Sequence, residues 1–82
     1  MPTIFSFKAV RVVVYPNEHR PAHVHLIGAG VEAVVDLNCP KGPPTLRENY
    51  GFSNQSLVDL KSQIADVLND LCESWSQIHG TY

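Results

Sequence analysis

Apolar and polar residues alternate over the first 37 positions and recur at helical spacing after position 53, so the chain divides into a sheet-forming part and a helix-forming part. Thr3–Phe7 and Ala9–Tyr15 are rich in Ile, Phe, Val and Tyr, types that suit a pleated and partly buried surface, and predict two strands. In the second of these, Val10, Val12 and Val14 share one face, and Arg11, Val13 and Tyr15 the other. Pro16-Asn17-Glu18 ends the strand, and Pro21 biases Arg20 toward extended backbone, which predicts an ordered loop bearing His19 and Arg20. His23 to Ile27 or Gly28 and Val31–Leu37 then read as a hairpin, with a tight turn at Ala29-Gly30. Such a turn pairs Gly28 with Val31, and so sets Ile27 against Glu32, His25 against Val34 and His23 against Asp36. One face then gathers Val24, Leu26, Val31, Ala33 and Val35, and the other His23, His25, Glu32 and Asp36. A slip of one residue would mix the two sets, so the hydrophobic pattern selects this register.

Asn38 to Asn49 contains Pro40, Gly42, Pro43 and Pro44, and 38–52 is expected to be a loop. Ser53 is a good N-cap, and Leu57, Leu60, Ile64, Val67, Leu68, Leu71, Cys72, Trp75 and Ile78 form one helical stripe over 53–79. Asn69 is the one candidate for a break, and Gly80 supplies a stop. The expected architecture is a single α+β domain over 1–82. It has a small antiparallel sheet of about four strands and one long C-terminal helix packed on one face, with the histidine face turned outward.

Charge changes this picture modestly. The net charge is −2, but residues 1–47 carry five basic against three acidic side chains, and residues 48–82 carry one against five. An overall basic grip on nucleic acid is therefore not indicated, while the histidine-bearing half is mildly basic. Cys39 and Cys72 have neither the density of a disulfide framework nor zinc-ribbon spacing, and read as reduced thiols. With nothing near Met1 resembling a signal peptide and no apolar run of about 20 residues, the expectation is a cytoplasmic protein that does not enter a membrane. Aromatics interleaved with basic residues are sparse, limited to Phe7-Lys8 and Arg11 with Tyr15. No phosphate-binding glycine loop, dinucleotide pattern or nucleophile elbow occurs.

The candidate chemistry sits in His19-Arg20-Pro21-Ala22-His23-Val24-His25, where three imidazoles fall within seven residues. Residues two apart on a strand share a face, so His23 and His25 point the same way. Three readings stand open. Zinc or another divalent metal would take His23 and His25, with Asp36 across the ladder or His19 from the loop as third ligand. Metal-independent RNA cleavage would use two of the histidines as base and acid, with Arg20 or Arg11 near the phosphate. A non-catalytic module would use the histidines in a hydrogen-bonded network with Glu32 and Asp36, presenting a surface to a cognate protein or to RNA. No organic cofactor is expected in any of the three.

The order of parts also resembles a known family. An opening Met1-Pro2-Thr3-Ile4, then Tyr15, Asn17, His19, Pro21, His23-Val24-His25, a glycine turn, Glu32-Ala33, and Gly51-Phe52-Ser53 opening a helix with Trp75 is similar to the small bacterial family called domain of unknown function 4160. The chain departs from many relatives at Ala22, at Ser56, where an acid would complete a capping box, and in the length of Asn38–Asn49. The resemblance implies a short αβ protein, a component of predicted toxin–antitoxin pairs, acting with a cognate partner. On that expectation His19, Arg20, His23 and His25 form the working surface, Arg11 and Tyr15 contribute to binding, and Glu32 or Asp36 orients an imidazole.

Overall fold

A computed structural model describes residues 3–7 and 9–82, with the side chains of residues 3–5 left aside; Met1, Pro2 and Lys8 lie outside the described residues. The strands are β1 (Thr3–Phe7), β2 (Val10–Val13), β3 (His23–Gly28), β4 (Val31–Asp36) and β5 (Thr45–Tyr50), followed by α1 (Asn54–Asp66) and α2 (Leu68–His79). All neighbouring strands are antiparallel and lie in chain order, so β3 occupies the middle of a five-stranded meander.

The β3–β4 register is the one the pattern selects: His23 faces Asp36, His25 faces Val34, Ile27 faces Glu32 and Gly28 faces Val31. Gly30 makes the turn with φ +71°, a conformation that side chains with a Cβ rarely adopt. Val12, Val14, Val24, Leu26, Ala33, Val35 and Leu37 are buried on one face of the sheet. Leu57, Leu60, Ile64, Leu68, Leu71, Cys72 and Trp75 of the two helices join them in a single core.

Three expectations are corrected here. The sheet has five strands, because Thr45–Tyr50 pairs with β4 inside the segment expected to be loop. All six of its residues are exposed, as suits an edge strand, and a register shift between Val34 and Val35 bulges it near Arg47. Its polar composition and the prolines before it hide it from a search for half-buried alternation.

The single long helix is two, divided at Val67 rather than at Asn69. The Val67 N–H reaches the Ile64 carbonyl at 3.1 Å, a tightened turn that redirects the chain. A straight helix over residues 54–79 would be about 39 Å long at 1.5 Å per residue. The longest dimension of the molecule is 32 Å. The break keeps both halves of the apolar stripe on the twisted sheet. Ser53 caps α1 by accepting from the Ser56 N–H at 3.1 Å, and Gly80, with φ +88°, ends α2 as expected.

The cysteines are not free thiols. Cys39, in the loop after β4, and Cys72, on the core face of α2, form a disulfide with Cα atoms 5.8 Å apart. Structural disulfides persist in oxidising compartments, so the argument from reduced thiols to a cytoplasmic location falls away. Among the described residues no helix is long and apolar enough to cross a membrane.

Candidate functional site

Strand parity puts His23 and His25 on the face of β3 opposite Val24 and Leu26, as the sequence predicts, but that face is not bare. Val13 and Val34, the cross-strand neighbours of His25, are both buried, and only 16% of the His25 side chain is exposed. His23 is 3% exposed, with its ring centroid 5.0 Å from that of Trp75. The expectation of outward-facing imidazoles therefore fails for His23, because the end of α2 reaches the start of β3 and covers it.

A buried imidazole needs partners for both nitrogens. The Nδ1 of His23 is 2.8 Å from the Pro21 carbonyl oxygen; a carbonyl only accepts, so Nδ1 carries the hydrogen. The Nδ1 of His25 lies 3.2 Å from Glu32 Oε2 and donates to that carboxylate. Both Nε2 atoms turn toward one oxygen: Glu18 Oε1 lies 3.2 Å from His23 Nε2 and in closer contact with His25 Nε2. One ring nitrogen from each of His23 and His25 and a Glu18 carboxylate oxygen all lie within 4.8 Å of one another, the spacing of a metal-ligating set.

The loop between β2 and β3 delivers Glu18. Pro16 and Pro21 bound it, and the Glu18 N–H reaches back to the Tyr15 carbonyl at 3.4 Å, turning the carboxylate toward the sheet. Burial pushes the Glu18 carboxyl up, but hydrogen bonds from His25 and His23, together with their charge, outweigh it and hold the group below its ordinary value of 4.5. Edge-on contact between Tyr15 and His25, with centroids 4.7 Å apart, closes the other side of the His25 ring.

The other expected site residues fall in different places. Asp36 faces His23 across the ladder, yet its Oδ1 lies 2.5 Å from Arg47 Nη2 of β5, an ion pair without hydrogen-bond orientation. That pairing takes Asp36 out of the proposed ligand set. His19 is exposed and stands apart from the cluster. Arg20 is exposed and donates to Thr81 Oγ1 at 3.2 Å, and Arg11 is an exposed β2 residue opposite Ile27. Of the two carboxylates expected to orient an imidazole, Glu32 hydrogen-bonds to His25, whereas Asp36 pairs with Arg47.

Sequence reasoning missed Glu18. The available signal was its position as the one acid in the proline-bounded turn immediately before the histidines.

A family model described as Domain of unknown function matches residues 10–76. The chain belongs to the family Domain of unknown function (DUF4160). Glu18, His23, His25, Glu32 and Trp75 all lie within the matched DUF4160 residues, while His79 and Thr81 lie beyond them. The family description names no reaction, substrate or partner, so a toxin–antitoxin association rests on resemblance alone. Comparison with curated proteins and with solved structures finds no match.

Proposed function

We propose that this DUF4160 protein is a divalent-metal-binding domain of the zinc class, with His23 Nε2, His25 Nε2 and the Glu18 carboxylate as its ligands. One observation carries the reading: with both Nδ1 hydrogens committed, to Pro21 and Glu32, the two Nε2 atoms and an anionic oxygen converge on one point, where protons on Nε2 donated to Glu18 in the metal-free chain would give way to a metal ion. Three electron-rich atoms so placed repel one another unless a positive charge sits among them, supplied by extra protons or by a metal ion. Histidines that ligate metal characteristically donate the other ring N–H to a carbonyl or carboxylate, the arrangement both rings have here.

Two imidazoles and a carboxylate suit zinc and related first-row ions, and three protein ligands leave a coordination position open. Glu18, whose side chain is 31% exposed, marks the side on which that position meets solvent. A bound ion of this kind supplies Lewis acidity and a water acidified toward neutrality, which is the chemistry of hydrolytic centres. Metal-independent RNA cleavage has less support. Base and acid must flank a phosphate, whereas both Nε2 atoms here face one Glu18 oxygen and the Arg20 guanidinium is engaged by Thr81.

Isothermal titration with Zn²⁺ tests the reading. The expected result is one ion per chain, with binding lost in His25→Ala and Glu18→Gln and kept in His19→Ala and Asp36→Asn. Absence of binding to the wild type, or equal binding by His25→Ala, would overturn it.

A further inference from the structure

The loop that carries Glu18 is held from outside the sheet by the segment that follows α2. His79 Nε2 donates to the Tyr15 carbonyl at 3.1 Å, the same oxygen that receives the Glu18 N–H. Arg20, at the other end of the loop, donates to Thr81 Oγ1 at 3.2 Å. The two bonds bracket Glu18, one three residues before it and one two residues after.

The segment itself is anchored beside the histidines. Trp75 Nε1 donates to the Thr81 carbonyl at 2.9 Å, and the His79 ring stacks on the Trp75 indole with centroids 3.9 Å apart and planes 27° apart. Trp75 in turn lies against His23. The chain reverses at Gly80, whose positive φ brings Thr81 back toward the loop; continued helix would carry it away.

We infer that His79 and Thr81 are positioning residues of the metal site: with Trp75 they clasp the 15–20 loop and hold the Glu18 carboxylate within reach of the two imidazoles. The inference rests on the metal-binding reading above. Both clasp residues lie beyond the residues matched by the family model. By linkage the coupling is reciprocal, so a clasp that favours metal binding is itself closed by bound metal.

The test compares wild type with His79→Ala/Thr81→Val, as full-length chains, in Zn²⁺ competition against a chelator of known affinity. Outer-shell partners of metal ligands are worth about 10–100-fold in affinity, and the expected loss is at least about tenfold. A structural role alone would lower the melting temperature of the metal-free chain and leave the affinity of the folded variant intact. The second measurement uses the wild type only: Zn²⁺ should slow hydrogen exchange of the Trp75 indole N–H, which donates to the Thr81 carbonyl in the closed clasp. A folded variant with wild-type zinc affinity, or an indole exchange rate indifferent to Zn²⁺ in a chain that binds it, overturns the clasp and leaves the metal site standing. A wild type that binds no Zn²⁺ overturns both.

Discussion

Reduction of the Cys39–Cys72 bond removes a cross-link between residues 33 positions apart. For a loop of that size the chain-entropy treatment gives about 3.7 kcal/mol at 25 °C, because the reduced unfolded chain recovers conformations that the cross-link forbids. Small domains have about 5–15 kcal/mol of total stability, so this one bond is a large share of what keeps an 82-residue chain folded. At about 4–8 °C per kcal/mol for a domain of this size, the melting temperature should fall by about 15–30 °C. The assay is thermal unfolding followed by far-UV circular dichroism, with and without a phosphine reductant, and on Cys39→Ser/Cys72→Ala. Alanine suits position 72 because Cys72 is buried in the apolar core, where a hydroxyl would add a separate penalty. The reduced wild type and the double variant should melt at similar temperatures, well below the oxidised protein. A shift under about 5 °C, with alkylation showing both thiols free, would mean that the unfolded chain gains little from losing the link and that the cross-link is not a main source of stability.

Two further outcomes follow from the site. Glu32→Gln keeps an oxygen opposite His25 Nδ1 but removes the charge that orients the ring, and zinc affinity should fall about tenfold in competition titrations; an unchanged affinity would deny Glu32 that role. The Glu18 carboxyl is held below 4.5 in the folded protein, so its contribution to stability is complete above that pH and is lost as pH falls through the lower folded value. In metal-free buffer the wild type should therefore lose stability in this acid range more steeply than Glu18→Gln, and denaturant midpoints that run parallel would contradict the assignment.

Strand parity and the β3–β4 register were legible in the sequence because a one-residue slip would exchange Val24 and Leu26 for histidines in the core. Ser53 and Gly80 announced the ends of the helical region for equally local reasons. What escaped depends on contacts between distant segments. β5 is an exposed edge strand with no apolar alternation to give it away, and missing it left Arg47 unplaced, so that Asp36 looked available to the histidines. Glu18 reaches the imidazoles by a turn whose direction the proline spacing does not specify. The burial of His23 depends on where α2 ends relative to the sheet, which follows from the break at Val67. The disulfide escaped because two cysteines give no spacing pattern.

The atoms that hold the metal are read directly by the zinc K-edge absorption spectrum of the one-to-one complex. Ligation by His23, His25 and Glu18 gives nitrogen and oxygen neighbours at about 2.0–2.2 Å, with the outer-shell scattering of two imidazoles and the loss of one of them in His25→Ala. Sulfur neighbours at about 2.3 Å, or a first shell without imidazole, would contradict it.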